Sequence, residues 1–331
     1  MSASDKVRSA ILELLDQLDR PVGASALAER LGGAGLQPRS VRYHLMRLDR
    51  EGLTKLVSRR RGREITDLGR EALSGQRANA PSGDWRTQSE RLAPGMEFRL
   101  REGRGTVAMD VALVHQSQLL RCVEDMKHVF GRRLGTGHRI ASAREGERLA
   151  GTVVPRHHAG FGVVSIAALC EVARREGLPA HLRSGVLVEM REDQPVRIVE
   201  RIGCSDTTMD PSVLLIRAGL TRVRECARSG AGLICGYLIE IPDSGLDRLH
   251  ATVRAMERHA LAGTLKIGRP GQPVLNVPIQ EGRTGWVLAS GLNPWAAIHE
   301  TGAPIRLHPC AGLESYARAR PFHEWRERLA G

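Results

Sequence analysis

Two pairs of segments, each separated by 125 residues, resemble each other, and this limits the possible folds more than any other feature of the sequence. The segment GTVAMDVALV, which begins at Gly105, aligns with GAGLICGYLI, which begins at Gly230. The segment REGLPAHL, which contains Gly177, aligns with ETGAPIRL, which contains Gly302. Because two independent pairs share one offset, the sequence predicts an internal duplication.

Each copy of the repeat alternates apolar strands with amphipathic helices in the same order. A strand, a helix and a strand are followed by a second strand, helix and strand, which is the order of a ferredoxin-like βαββαβ unit. We therefore expect an α/β domain built of two ferredoxin-like pseudo-repeats, at about residues 105–190 and 230–316. A cleft between two such lobes is a favoured place for a ligand.

The first 73 residues have a different pattern. Three stretches with apolar residues at helical spacing are followed by an alternating hairpin that is rich in arginine. This is the plan of a winged helix-turn-helix, and the stretch resembles winged-helix repressor domains. The complete fold class is therefore α+β. It comprises a winged helix-turn-helix at 1–73, a polar linker rich in Ser, Pro and Gly at 74–95, and the duplicated domain at 96–331.

Positive charge is concentrated in the third helix and the hairpin. The chain has a formal net charge of +12, and nine basic residues against two acidic ones lie between Leu36 and Arg63. Lys and Arg neutralise DNA phosphates, and side chains near the start of a recognition helix contact base edges in the major groove. The alternative is a solvated basic face on a winged helix that binds proteins. The predicted contacts with double-stranded DNA are Gln37, Arg39, Ser40, Arg42, Tyr43, Arg47, Arg59, Arg60, Arg61 and Arg63.

The composition disfavours several other classes of protein and site. No apolar run is long enough to span a membrane, and the N-terminal residues carry acids throughout, unlike a signal peptide. We therefore expect a cytoplasmic protein with no membrane partner. The six cysteines include no C-x-x-C pair and the histidines are scattered, so we expect reduced, buried thiols, no metal and no cofactor.

The stretch GCSDTTMDPSVLLIRAG, residues 203–219, joins a polar loop to the start of a helix. Asp210 is placed to be the N-cap, and Pro211 to be the first helical residue. The loop is either an ordinary capping turn or the wall of a ligand pocket. In the second case, the hydroxyls of Thr207 and Thr208 and the free amides of the helix would bind a small dicarboxylate. The candidates to neutralise its charge are Arg197, Lys266 and Arg269.

Three long and unusual strings lie in the second part of the chain. They are PVRIVERIGCSDTTMDPSVLLIRAGLT at 195–221, IGRPGQPVLNVPI at 267–279 and GLNPWAAIHETG at 291–302. These strings are similar to the effector domain of the NrpR family of archaeal nitrogen-regulation repressors. The resemblance implies a dimeric repressor whose second domain senses 2-oxoglutarate, a signal of nitrogen shortage. Many members carry two effector domains in tandem, whereas this chain has the length for one, and a cysteine tied to the effector response in the family corresponds to Ser165.

The sequence thus predicts a homodimeric, DNA-binding transcriptional regulator rather than an enzyme, with 2-oxoglutarate or a similar dicarboxylate as its effector by resemblance. Asn293 is expected either to cap its helix or to contact the ligand. Two alternatives stay open. One is a thiol-dependent enzyme domain that uses Cys204, Asp206 and a histidine, and the other is a DNA-binding protein without a ligand. The predicted effector-binding residues are Ser165, Arg197, Cys204, Ser205, Asp206, Thr207, Thr208, Asp210, Lys266, Arg269 and Asn293.

Overall fold

The chain is divided into two compact units. The computed structural model describes residues 3–18, 20–31, 37–58, 60–66, 69–70, 84–303 and 305–325. The units divide between residues 82 and 83, and each has hydrophobic clusters of its own. None of the described helices is both long enough and apolar enough to cross a membrane.

The first unit consists of three helices followed by an antiparallel hairpin. Its elements are α1 (Ala3–Leu18), α2 (Ala24–Arg30), α3 (Pro38–Arg50), β1 (Thr54–Ser58) and β2 (Gly62–Ile65). Each helix buries one apolar stripe, so that Ile11 of α1, Leu27 of α2 and Leu45 of α3 are fully inaccessible and pack with Ile65 of β2. The order of these elements confirms the predicted winged helix-turn-helix.

Local sequence explains how α3 and the hairpin are positioned. Pro38 lies in the first turn of α3, where its missing N–H leaves no hydrogen bond unmade. Gly52 has a φ of 72°, a left-handed conformation that suits glycine and ends the helix. Gly62 has a φ of 92°, and a Cβ there would lie 2.3 Å from the carbonyl group of Val22. The hairpin can therefore approach the α1–α2 connection closely only because this residue is glycine.

The second unit alternates helices and strands along nearly its whole length. Its helices are α4 (Trp85–Leu92), α5 (Leu119–Gly131), α6 (Ile166–Arg175), α7 (Pro211–Arg217), α8 (Val223–Ser229), α9 (Leu246–Arg258) and α10 (Asn293–His299). Its strands are β3 (Thr106–His115), β4 (Arg139–Ala143), β5 (Arg148–Leu149), β6 (Thr152–Val153), β7 (His158–Val164), β8 (His181–Arg191), β9 (Gln194–Gly203), β10 (Gly232–Pro242), β11 (Thr264–Ile267), β12 (Arg283–Ala289), β13 (Ile305–Ser315) and β14 (Arg320–Pro321).

Ten of these strands form two five-stranded antiparallel sheets, and β5 and β6 pair with each other. The first sheet has the order β13-β3-β7-β4-β14, and the second has the order β11-β12-β10-β8-β9. Strands β3, β4 and β7 come from the first half of the unit, at about residues 105–190, and β10, β11 and β12 come from the second half, at about residues 230–316. The last strand of each half, however, lies in the other sheet: β8 pairs with β10, and β13 pairs with β3.

This exchange corrects the expectation of two separate ferredoxin-like units on one point. Each half has the predicted order of strands and helices, but the place beside its first strand is filled by the last strand of the other half. The exchanged pairings are extensive, because all four strands involved are 10 or 11 residues long. Neither half therefore completes a sheet from its own residues.

The interior between the two halves is packed, where the sequence led us to expect a cleft between lobes. Helix α5 of the first half contacts α10 of the second. Each of the unit's two hydrophobic clusters contains residues of both halves: Met109 and Trp286 share one, and Phe161 and Trp295 share the other. The ring centroids of Phe161 and Trp295 are 6.0 Å apart. The halves thus share a continuous core.

Residues 84–95 are structured, which corrects the predicted linker at 74–95. Asp84 caps α4 by accepting a hydrogen bond from the Arg86 amide, and Trp85 is buried in the second unit. A short 3-10 helix follows, Ala93–Gly95. Residues 74–83 lie outside the described part of the chain. One tryptophan in a polar stretch is enough to anchor a two-turn helix, because its large apolar surface is removed from water.

Candidate functional site

The exposed face of α3 carries most of the predicted DNA contacts. Arg39, Arg42, Tyr43 and Arg47 are exposed, and the spacings 39–42, 39–43 and 43–47 of three or four residues place them on one side of the helix. Gln37 precedes them as the exposed N-cap residue, and Ser40 is half-buried in the first turn. Within the described residues, no carboxylate is paired with these three arginines. Their charges are therefore available to a polyanion.

The hairpin contributes fewer contacts than the sequence predicts. Arg60 and Arg61 are exposed near its tip, and Arg59 lies outside the described residues. Arg63 is an exception, because its Nε lies 2.6 Å from Oδ2 of Asp49 and its side chain is only 16% exposed. This ion pair attaches the hairpin to α3, so Arg63 does not lie with the exposed arginines.

Apolar residues on the same surface were missed by sequence reasoning. Met46 of α3 is 47% exposed, and Leu56 of β1 is 49% exposed. Met46 lies one turn from both Arg42 and Arg50, which was the available signal. Apolar side chains on a DNA-facing helix can contact thymine methyl groups, so these residues fit the same surface.

In the second unit, Asp210 is at the centre of a buried polar cluster. Its carboxylate caps α7 by accepting from the amides of Ser212 and Val213, at 2.8 and 3.3 Å. The hydroxyl of Tyr237, on β10, donates to the same carboxylate and lies 2.7 Å from both oxygens. The predicted N-cap and the predicted first residue, Pro211, are confirmed. The expectation that the first amides of the helix are free for an anion is wrong, because Asp210 occupies them.

A second buried carboxylate, Asp110 of β3, was not singled out from the sequence. Its Oδ1 accepts from the amide of Cys310 at 2.8 Å. Strand β13 bulges between His308 and Gly312, and Cys310 in this bulge has a φ of 48°. A bulge re-aims main-chain groups, and here it directs an amide towards Asp110. The available signal was one acidic residue in the otherwise apolar string GTVAMDVALV.

Burial raises the pKa of both carboxyl groups. The pKa of Asp110 rises to about 7 through burial and then through the nearby charge of Asp210, against hydrogen bonds from the Cys310 amide and the Ser165 hydroxyl. The pKa of Asp210 rises to about 6 through burial, against hydrogen bonds of which that of Tyr237 is the largest. The cluster therefore exchanges protons near neutral pH.

The cysteines are buried and free, as the sequence predicts. Cys204 is 2% exposed, and burial raises its pKa to about 12. Burial also raises the pKa of Cys310 to about 12. A cysteine attacks as its thiolate, so these surroundings suppress the reactive form. The arrangement is therefore poorly suited to nucleophilic catalysis.

Helix α4 lies over this cluster. The Trp85 ring packs against that of Tyr237 with centroids 6.3 Å apart, and its indole N–H is buried without a hydrogen-bond partner among the described residues. The Trp85 amide donates to the carbonyl of Thr208 at 3.1 Å. The side chain of Gln88 donates to the carbonyl of Cys310 at 3.5 Å. Helix α4 thus connects the loop before α7, strand β10 and the bulge of β13.

The loop before α7 has the hydrogen bonds of a closed capping turn. Thr207 Oγ1 accepts from the Met209 amide at 3.1 Å and donates to the Met209 carbonyl at 3.0 Å. Ser205 donates to the Asp206 carboxylate at 2.9 Å. Thr208 is exposed. Of the two interpretations of this loop, the capping turn accounts for the contacts of Thr207 and Asp210.

The predicted neutralising residues lie apart from the buried cluster. Arg197 is on the exposed side of the β8–β9 hairpin, where its Nε lies 2.5 Å from the Glu189 carboxylate. Lys266 is exposed on β11, and Arg269 is exposed just beyond that strand. All three side chains are exposed, so none of them is part of the buried cluster around Asp210.

Asn293 has a structural role that sequence reasoning did not foresee. It is fully buried, and its Oδ1 accepts from the Cys235 amide at 3.0 Å. Its Nδ2 donates to the carbonyls of Cys235 and Leu134 at 2.8 and 2.7 Å. The N-cap position of α10 is Leu292, so the predicted capping role of Asn293 is wrong. Its side chain instead attaches β10 to the segment after α5.

An open cleft of about 700 Å³ lies at the opposite end of α7 from Asp210. Its walls are the C-terminal end of α7 with the residues that follow, helix α8, and the C-terminal end of α10. None of its lining residues was among the predicted effector-binding residues, although the arginine-rich string TRVRECARSG was visible in the sequence. The charged and titratable residues of the lining are Arg222, Arg224, Glu225, Arg228, His299 and Glu300.

Two family models match the chain, one for each unit. Residues 84–320 match a family described as NrpR regulatory domains NRD1 and 2. Residues 9–73 match a family described as Ribonuclease R winged-helix domain.

Curated relatives and one solved structure resemble the chain. The Global nitrogen regulator NrpRI of Methanosarcina mazei is 24% identical over 313 residues, which cover 92% of this chain and 94% of that protein. The Global nitrogen regulator NrpR of Methanococcus maripaludis is 25% identical over 299 residues, and there the match covers 88% of this chain but only 51% of the relative.

The crystal structure of a nitrogen repressor-like protein from Methanococcus jannaschii superposes with a TM-score of 0.59 at 17% identity, covering 71% of this chain and 97% of that chain. This likeness supports the fold of the second unit. Because the regulatory-domain model spans residues 84–320, well over half of the sequence, the chain belongs to the family that carries NrpR regulatory domains NRD1 and 2.

Proposed function

We propose that this protein is a transcriptional repressor linked to nitrogen metabolism, which binds DNA through its first unit and senses a small metabolite through its second. The observation that carries the proposal is the presence of both parts in one chain: a winged helix with an exposed row of arginines on α3, and an NrpR-type regulatory region. The names of the curated relatives, all global nitrogen regulators, support the link to nitrogen.

The DNA-binding mode that we propose follows from the exposed face of α3. Residues near its N-terminus, Arg39 and Arg42 above all, read base edges in the major groove, while Arg60 and Arg61 contact phosphates. The protein acts as a homodimer in the cytoplasm and binds a pseudo-palindromic operator. Its half-sites are then separated by whole turns of B-DNA, about 10 base pairs or a multiple.

The effector that we propose is 2-oxoglutarate or a similar dicarboxylate. Of the residues predicted for its site, Ser165, Cys204 and Asp210 come together in the buried cluster beneath α4. We infer that effector binding alters DNA binding through α4, because this helix covers the cluster and lies at the start of the second unit. We also infer that the two halves of the second unit arose by duplication of a ferredoxin-like unit, which their common order of elements supports.

The alternative of a thiol-dependent enzyme is less well supported. The burial of Cys204 and its raised pKa disfavour a thiolate. Asp206, which would have oriented a base, accepts instead from its neighbour Ser205. A DNA-binding protein without a ligand is the remaining alternative, and the experiment below separates it from a sensor.

The test is a DNA-binding titration of the full chain with and without 2-oxoglutarate. Genomic fragments that the protein retains are first selected, and the affinity for the best fragment is then measured at several salt concentrations, since phosphate contacts make affinity depend on salt. We expect millimolar 2-oxoglutarate to change this affinity, while glutarate, which lacks the keto group, serves as the matched control. No fragment retained above random DNA would contradict the repressor, and an affinity that no metabolite alters would favour a ligand-free DNA binder.

A further inference from the structure

We propose that the cleft between α7, α8 and α10 is a binding site for a small dianion, either a dicarboxylate or phosphate. This inference rests on the proposed function, because it gives the metabolite sensor an anion site distinct from the buried cluster beneath α4. The cleft is open and, at about 700 Å³, large enough to admit such a ligand together with water.

Arg222 supplies a positive charge that no carboxylate of the described residues offsets. Its Nη1 donates to the carbonyls of Gly219 and Thr221, at 3.1 and 2.7 Å. These neutral acceptors orient the guanidinium but leave its net charge uncompensated. A guanidinium has five N–H donors in a planar fork, so donors remain for a bidentate contact with an anion.

Two carboxylates near the cleft are already occupied by protein donors. Glu300 accepts from the Thr221 hydroxyl at 2.7 Å and from the amides of Val223 and Arg224 at 2.8 and 2.9 Å. Its oxygens are thus directed into the protein, at the start of α8. Glu300 therefore positions the arginine-bearing helix, and its repulsion of an incoming anion is reduced by the three donors that it binds.

The second occupied carboxylate is Asp125 of α5, which is 4% exposed. Its Oδ1 accepts from Nε of Arg224 at 2.8 Å and from Nη2 of Arg228 at 3.2 Å. One negative charge is therefore shared between two guanidinium groups. Their side chains remain 35% and 50% exposed in the lining of the cleft, which leaves other N–H groups for a ligand.

The charged groups at the cleft balance in number but differ in how accessible they are to a ligand. Three arginines lie in the lining, and the carboxylates that face them are Asp125, Glu300 and the exposed Glu225. Because Asp125 and Glu300 are buried or saturated, the solvent-facing groups are mainly guanidinium N–H groups. His299, at the end of α10, also lies in the lining of the cleft.

The position of the cleft connects it to the rest of the proposed sensor. Gly219 and Thr221 end the first of the strings that resemble the NrpR family, and His299, Glu300 and Gly302 end the third. Two strings that are distant in sequence therefore meet at one cleft. Helix α7 extends from this cleft to Asp210, whose cluster is covered by α4, so a ligand that shifts the end of α7 also acts on the contacts of α4.

Calorimetric titration of the full chain tests the inference, with 2-oxoglutarate and inorganic phosphate as separate ligands. We expect at least one of them to bind the wild type, and Arg222→Ala to weaken its binding by about 10- to 100-fold, the effect of losing one charge-assisted contact. Arg222→Lys retains the charge and should lose less. Arg201→Ala, which removes an exposed arginine of β9 outside the cleft, should bind as the wild type does.

Circular dichroism spectra verify that each variant is folded. Should Arg222→Ala not fold, Arg222→Gln serves instead, because its amide can still donate to the two carbonyls while the charge is lost. Binding of 2-oxoglutarate alone assigns the site to dicarboxylates, and binding of phosphate alone assigns it to inorganic dianions. Wild-type protein that binds neither ligand, or folded Arg222 variants that bind both as tightly as the wild type, would overturn the inference.

The same proteins in the DNA-binding titration distinguish this inference from the proposed function. If 2-oxoglutarate alters DNA affinity equally in the wild type and in Arg222→Ala, the sensor stands and the cleft is not its site. If a dianion binds the cleft but leaves DNA affinity unchanged, the site stands and the proposed sensing fails.

Discussion

At the scale of single residues, Asp110 and Asp210 make the stability of the second unit depend on pH. Their raised pKa values mean that the folded protein binds protons that the unfolded chain, with carboxyl pKa values near 4, has already released. The contribution of such a carboxyl group to the unfolding free energy is fully present below about pH 4. It is lost as the pH rises through the folded-state value, which is about 7 for Asp110 and about 6 for Asp210.

We predict that Asp110→Asn removes much of the pH dependence of the unfolding free energy of the second unit. Through Asp110, the wild type should lose on the order of 2–4 kcal/mol of unfolding free energy between about pH 4 and pH 8, because its ionised carboxylate is buried. Asparagine keeps an oxygen for the Cys310 amide but cannot ionise. Urea unfolding of both proteins at about pH 5 and pH 8 measures the difference, since all other titrating groups are common to the two. An identical pH dependence would show that Asp110 does not titrate in this range.

Two arginines of the first unit should behave differently when replaced. We predict that Arg42→Ala weakens binding to the preferred operator by about 1–3 kcal/mol, because it removes a contact to a base. The variant should also discriminate less between operator and random DNA. Arg60→Ala should weaken binding to all sequences alike and reduce the salt slope by about one. Gel-shift titrations with operator and random DNA at several salt concentrations test both. If neither substitution changes binding, α3 and the hairpin are not the DNA-binding surface.

At the scale of elements, α4 is the helix that we propose to carry the effector signal. We predict that Trp85→Ala lowers the unfolding free energy of the second unit by roughly 3 kcal/mol, the cost of truncating a buried tryptophan. It should also abolish the effect of 2-oxoglutarate on DNA affinity while DNA binding itself persists. Thr87→Ala, on the exposed side of the same helix, is the control. A full effector response in folded Trp85→Ala protein would remove α4 from the mechanism.

Much of the order of elements could be predicted from the sequence, because it depends on local periodicity; the exceptions include α4, which was predicted as linker, and the two-residue strands β5 and β6. Alternation identified β10, helical spacing identified α9, and Asp210 followed by Pro211 identified the start of α7. Helix α8 was not identified, since its seven residues are too few to display a period. The exchange of β8 and β13 was invisible for another reason: which strand pairs with which depends on contacts distant in sequence, and both possible pairings have the same local pattern.

The candidate site shows the same difference between contacts that are local in sequence and contacts that are distant in sequence. The role of Asp210 as a cap was predictable, because its partners lie two and three residues away. Its third partner, Tyr237, and the contact between Asp110 and the Cys310 amide join residues that are far apart in the chain. The arginines of the cleft were visible as a string, but their convergence with His299 depends on how α8 and α10 pack.

At the scale of the whole molecule, the exchanged strands link the two halves of the second unit. We therefore expect its two sheets to open cooperatively. We predict that amides of β3 and β10, the central strands that receive the exchanged partners, exchange with solvent at one common free energy of opening. Opening either sheet requires the other half to release a strand, so independent opening is unfavourable. Hydrogen exchange followed by mass spectrometry measures this, and two clearly different free energies for the two sheets would contradict it.

The exchanged strands β8 and β13 also bear on how the second unit could have evolved. A polypeptide with only the residues of one half could place its last strand beside its own first strand or exchange that strand with a second copy. In the second case, two identical copies would complete each other's sheets by trading that strand between molecules. If the duplication that we infer took place, a symmetric dimer of a half-length ancestor would have had the same architecture as this single chain.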